Sequence, residues 1–172
     1  MPVSDELVVA PLEGLVIHAL HSHWAMTELD PCLIVIWRGV VTEEALRSIN
    51  EHIWNLTQKR PGACAYINVI ERNSPVPTAP LRKIAMEGLS RPGKALTCLG
   101  AVFEGNEFRS AMVRAVMTGM ALLRPSGQPT KFFKTVQEMS VWVGNQLRSA
   151  GTTIPTSDIV RACEHTRRIM PT

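Results

Sequence analysis

The sequence predicts an α/β fold built on a mixed, mainly parallel central sheet with an opening hairpin and helical crossovers, and three observations carry that prediction. Residues 32–37, 64–70 and 95–103 form short, nearly continuous apolar runs, and runs without polar alternation are expected of strands covered on both faces. Stretches with helical spacing separate and follow them, each long enough for a crossover, which is the repeating strand–helix pattern of this class. Asp30-Pro31 is a turn signal directly before the first run, so residues 24–29 can pair with it as an antiparallel partner.

The elements follow in order. Residues 7–21 are apolar enough to cover a sheet edge, as either a strand or a helix. Thr42 is a suitable N-cap for the first helix, with Glu43 and Glu44 where the positive helix end favours carboxylates. Its inward stripe is Ala45 or Leu46, Ile49, Ile53 and Leu56, and Lys59-Arg60 followed by Pro61-Gly62 ends it. A second helix is expected over 78–90 with Leu81, Ile84, Ala85 and Leu89 inward. A third is expected from Asn106 as cap, through Phe108, Met112, Ala115, Val116 and Gly119 to Leu123. Residues 130–133 read as a short peripheral strand. Thr135-Val136-Gln137-Glu138 is a capping box opening a helix with Val136, Met139, Trp142, Val143 and Leu147 inward, closed by Gly151. Residues 150–156 read as a linker to a last helix starting near Ser157, with Ile159, Val160 and Cys163 inward and Arg161, Glu164, Arg167 and Arg168 outward. The division expected is an extension over 1–23, an α/β domain over 24–149, and a linker with a C-terminal helix over 150–172.

Composition narrows the function classes. With 172 residues, 45% of them hydrophobic, the chain can bury a core without disulfides or metal. The net charge of +3 comes from 18 Lys and Arg against 15 Asp and Glu, and no basic cluster exceeds a pair such as Lys59-Arg60 or Arg167-Arg168, which argues against nucleic acid as a partner. No apolar run is long enough to span a bilayer, and Asp5 and Glu6 stand where a secretory signal would carry Lys or Arg, so a cytoplasmic location is expected. Cys32, Cys64, Cys98 and Cys163 form no CxxC pair and read as reduced thiols, inert where buried.

Motif-like spacings resolve into plainer readings. His18, His21 and His23 make an H-x-x-H-x-H string, but on a strand His18 would face away from the other two and no Cys or carboxylate sits at ligand spacing, so no metal is expected. Gly88 to Lys94 matches G-x-x-x-x-G-K, yet Ala95 replaces the hydroxyl that would hold magnesium, and the segment leads from a helix into a strand rather than the reverse. A helix stop and turn explain it better, and no cofactor is expected. Cys163 and His165, two residues apart on a helix, point about 160° away from each other and make no catalytic pair.

From Trp24 to Leu147 the order is hairpin, helix, strand, helix, strand, helix, short strand and helix. That order resembles the STAS-like domains, the fold of the sporulation anti-anti-sigma factor, and more particularly the stand-alone STAS/SEC14-like proteins of bacteria. A strand ending in Gly, Trp37-Arg38-Gly39-Val40-Val41-Thr42, feeds the first helix. The closing helix, residues 135–143, has an acid near its start and a Trp in its second turn. The resemblance implies a binding and switching module, in which a kinase phosphorylates a serine after the second central strand. The corresponding loop is residues 71–78, where the family's Asp-Ser-Ser-Gly type stretch is absent and Ser74 is the serine present.

Topology indicates where binding should occur, because ligands of open α/β sheets lie outside the carboxyl ends of the strands. The polar residues expected there are Glu71, Arg72, Asn73, Ser74, Glu104 and Asn106, candidates for partner binding or regulation; the plain alternative is that they are turn formers and caps. Met112, Val116 and Met120 are candidates for an apolar pocket, against a simple core role. The function expected is a non-catalytic, cytoplasmic protein-interaction or regulatory module. The alternative is a small-molecule or lipid binder with an apolar pocket between sheet and helices, and a more distant class is an enzyme using Glu71 or Glu104 as general base. Self-association into a homo-oligomer is open to the chain through its sheet edges.

Overall fold

The computed structural model describes residues 10–106, 111, 113–115, 118–119 and 127–172. Its strands are β1 (Leu15–Leu20), β2 (Trp24–Leu29), β3 (Cys32–Trp37), β4 (Ala65–Ile70), β5 (Cys98–Phe103) and β6 (Thr130–Phe133). The helices are α1 (Glu43–Lys59), α2 (Ala79–Ser90), α3 (Val136–Ser149) and α4 (Thr156–Ile169). The strands form one sheet in chain order. β1, β2 and β3 pair antiparallel, and β3, β4, β5 and β6 pair parallel. This is the mixed, mainly parallel sheet with an opening hairpin that the sequence predicts.

Three details refine the sequence reading. The segment left open between strand and helix is an edge strand, β1, whose register slips between Ile17 and Ala19 and which exposes Val16 and Ile17. The run expected over 95–103 becomes strand only at Cys98, because Gly93–Ala95 is a single 3-10 turn. The helix expected from Asn106 falls largely outside the described residues, although 111, 113–115 and 118–119 are helical.

Every residue of β3 and of β5 is buried, so both faces of the sheet need cover. Alternation along β4 divides the core. Ala65, Ile67 and Val69 join the layer packed against α3 and α4, while Tyr66 and Ile70 join the layer packed against α1 and α2. Each large aliphatic side chain taken fully out of water contributes about 1.5–3 kcal/mol, so these layers outweigh any single polar contact.

Local chemistry fixes the helices over those layers. Thr42 caps α1, its hydroxyl accepting from the Ala45 amide at 3.3 Å, and Thr135 caps α3 by accepting from Glu138 at 3.2 Å. α1 buries Ala45, Leu46, Ile49, Ile53 and Leu56, the predicted stripe. α4 is tied to β2 through a buried hydroxyl pair. Thr166 donates to the Ala162 carbonyl, so Thr27 is the donor in its 2.8 Å bond to Thr166.

α3 comes close to the sheet because Gly100 carries no side chain. A Cβ there would stand 2.9 Å from Met139 Cγ and from Val143 Cγ2, both fully buried. Gly100→Ala is therefore expected to lower stability by about 1–3 kcal/mol through overpacking, read as a lower urea midpoint with an unchanged slope.

Candidate functional site

The carboxyl ends of the three central strands lie side by side, with Trp37 in register with Ile70 and Ile70 with Phe103. On the α1/α2 face these three side chains border a cavity of about 80 Å³, completed by Tyr66 and Asn68 from β4, Ile49 and Ile53 from α1, and Ala85 and Leu89 from α2. A cavity of roughly 150 Å³ accommodates benzene, so this one suits a smaller apolar group or a ligand that extends out of its mouth.

α2 covers the sheet only loosely over this cavity. Gly88 is its one buried residue, and the helix rests on α1 through its backbone. Asn50 Nδ2 donates to the Ile84 carbonyl at 3.0 Å, and a Cβ on Gly88 would fall 1.9 Å from Asn50 Oδ1. Leu81, Ile84, Ala85 and Leu89 turn toward the core as the sequence predicts but remain half-buried.

The 71–78 loop roofs the cavity with Ser74, Pro75, Val76 and Pro77. The Ser74 hydroxyl donates to the Gly39 carbonyl at 2.8 Å. Arg82 also lines the cavity and donates through Nη1 to the Pro77 carbonyl at 2.7 Å. Two polar side chains stand on the sheet side. Burial pushes the Tyr66 phenol well above its ordinary range, which keeps it protonated. Asn68 Oδ1 is buried and has no hydrogen-bond partner among the described residues, an arrangement that costs free energy unless something supplies the missing bond.

Beside the same strand ends lies an ion cluster. Arg38 grips Glu71 with two bonds, at 2.8 and 3.3 Å, and donates to the Arg167 carbonyl at 3.0 Å. Arg167 bonds Glu104 and stands 3.9 Å from Glu71. Burial opposes the Arg167 charge, but its hydrogen bond to Glu104, with the charges of Glu104, Glu164 and Glu71, outweighs that and raises its pKa. The cluster thus fastens α4 to the ends of β3, β4 and β5.

The residues named from sequence meet different fates. Glu71 and Glu104 are brought together through Arg38 and Arg167 and serve internal pairing. Ser74 is buried at 1% exposure. Arg72, Asn73 and Asn106 are exposed. Met112, Val116 and Met120 lie outside the described residues. Sequence reasoning passed over Tyr66, Asn68, Asn50 and Arg82 as site residues. Asn68 had a signal, being the one strongly polar residue in the run 64–70. Of the histidines, His18 bonds Glu28 at 2.8 Å and lies against His52, and His21 stacks on Trp24. Among the described residues no group of three or more His, Cys, Asp or Glu could hold a metal ion, and no helix is long and apolar enough to cross a membrane.

No family model matches the chain, and no curated protein matches it. Among solved structures it is similar to an uncharacterised protein of the DUF3478 family with a SpoIIAA-like fold, from Shewanella loihica PV-4. The two share 13% sequence identity with a TM-score of 0.48, over 78% of this chain and 97% of the other.

All four cysteines are buried free thiols. Burial pushes Cys64 up to about 11 and Cys98 and Cys163 up to about 12, and it raises Cys32 as well. Unfolded thiols ionise near pH 8.5–9 while the folded ones stay protonated, so the unfolded state binds fewer protons and stability falls as pH rises from about 9 toward 11. Equilibrium unfolding should show a loss of up to about 1.4 kcal/mol per pH unit for each thiol in that window. A disulfide reagent at pH 8 should label the native chain slowly and all four cysteines once it is unfolded.

Proposed function

We propose that the protein is a regulatory binding module without catalytic chemistry of its own, acting in the cytoplasm, in which an apolar small molecule bound between the sheet and α1/α2 controls how the 71–78 loop meets a protein partner. The observation that carries this reading is the identity of the cavity's roof. The segment that closes over the cavity is also the segment that places Arg72 and Asn73 in solvent.

A ligand shifts an equilibrium only by binding one state better than the other. Here an occupant touches Pro75, Val76 and Pro77 while the loop is closed, and loses those contacts when it lifts. Occupancy therefore favours the closed loop. Modification of Ser74 favours the open one, because its hydroxyl is buried against the Gly39 carbonyl and a phosphate there would bring about −1.5 to −2 of charge into that contact. The two inputs oppose each other through one segment, in keeping with the switching role that the STAS-like resemblance implies.

Ala85→Phe fills the cavity from α2, at a position that is only half-buried. Wild type and variant, purified from the native host under non-denaturing conditions, are compared by native mass spectrometry and by hydrogen exchange across 71–78. The wild type is expected to carry a non-covalent small-molecule adduct that slows exchange in the loop, and the variant to lack the adduct. An adduct retained equally by both proteins, an adduct-free wild type, or loop exchange indifferent to loading would each overturn the reading.

A further inference from the structure

We infer that the pocket's ligand is a compact apolar carboxylate, its chain or ring against the aliphatic and aromatic walls and its acid group engaged by Arg82 together with the Asn68 amide. This rests on the pocket reading above and specifies the chemistry of the occupant.

Charge is the first argument. Among the described lining residues Arg82 is the one that carries a formal charge, and none of them is a carboxylate. Arg82 forms no ion pair among the described residues, and its bond to the Pro77 carbonyl spends one N–H. A guanidinium has five N–H donors in a planar fork that matches the two oxygens of a carboxylate. Among the described residues this half-buried cation on an apolar cavity has no counter-charge, and an anionic ligand supplies one. A cationic ligand would meet repulsion, with no acid in the described lining to offset it.

Polarity of the interior is the second. The buried Asn68 Oδ1 has no hydrogen-bond partner among the described residues, and turning the amide by 180° puts its NH₂ in that place, where it donates to a carboxylate oxygen. Tyr66, protonated at physiological pH, adds a hydroxyl donor on the same strand face two residues away. Neutral donors inside and a cation at the edge describe a site for a group that accepts hydrogen bonds and carries negative charge. Asn50 and Ser74 spend their donors on the Ile84 and Gly39 carbonyls, and apart from the Trp37 indole N–H the other walls, such as Ile53, Ile70, Leu89 and Phe103, are hydrocarbon, so the rest of the ligand is hydrocarbon.

The test uses hexanoate, hexan-1-ol and hexylamine as probes of equal chain length, titrated into the ¹⁵N-labelled full chain. Wild type is compared with Arg82→Gln and Asn68→Leu, each first shown to keep a dispersed native spectrum. Hexanoate should shift the Asn68 side-chain amide and the Trp37 indole resonances and bind at least about tenfold more tightly than hexan-1-ol, the worth of one charge-assisted hydrogen bond. Arg82→Gln should bring the two to near-equal affinity, Asn68→Leu should weaken hexanoate, and hexylamine should leave the pocket resonances unmoved. Hexanoate and hexan-1-ol binding alike in wild type, or indifference of hexanoate to Arg82→Gln, would overturn the carboxylate assignment while leaving the pocket in place. If none of the probes moves the pocket resonances, the pocket reading fails together with it.

Discussion

Three parallel strands that are apolar on both faces must be covered on both faces, and the rest of the architecture answers to that constraint. β3 and β5 bury every residue, so a helix that fails to seat over them leaves either exposed hydrocarbon or a void. On one face α3 and α4 seat fully, with Met139, Val143, Leu147, Ile159 and Cys163 at 0% exposure. On the other α1 does the same, but α2 buries only a glycine. The candidate pocket lies under α2, whose apolar side chains are only half-buried, and its contents follow from the sheet face beneath it.

The strand ends are occupied by two chemistries at once. The Arg38–Glu71–Arg167–Glu104 cluster binds the C-terminal helix to the loops after β3, β4 and β5. Three residues beyond Glu71, the Ser74 hydroxyl holds the next part of the same loop to Gly39. The 71–78 loop is therefore anchored by charge at its start, held by one neutral hydrogen bond at its middle, and held near its end by the Arg82 guanidinium on the Pro77 carbonyl. A paired, half-buried carboxylate is costly to displace, whereas one neutral hydrogen bond contributes only about 1 kcal/mol. Any lifting of the roof therefore releases both the Ser74 and the Arg82 bond while Glu71 stays fixed.

Much of this fold was legible in the chain, and the reason is local. α1 and α3 carry caps, acidic first turns and regular apolar stripes, and the strands read as unbroken apolar runs. β1 was harder to read because an edge strand with exposed Val16 and Ile17 and a slipped register lacks clean alternation. The site was legible in place but not in detail. The topology rule located the strand ends, yet Glu71 and Glu104 owe their pairing to Arg167, a residue whose helix returns to the sheet only through tertiary packing. Asn68 could have been read as the polar exception in its strand. That its carbonyl oxygen lacks a partner among the described residues is a matter of tertiary packing, which no local pattern encodes.

The slipped register of β1 also bears on how the molecule behaves in company. A sheet grows by adding a strand to a straight edge whose free amides and carbonyls are evenly spaced. The irregularity between Ile17 and Ala19 spoils that spacing on one side. On the other, β6 is only four residues long and carries Lys131, too short and too charged to template a neighbour. Copies at high concentration therefore meet blunted edges on both sides of a very hydrophobic sheet, which protects the chain against edge-to-edge aggregation.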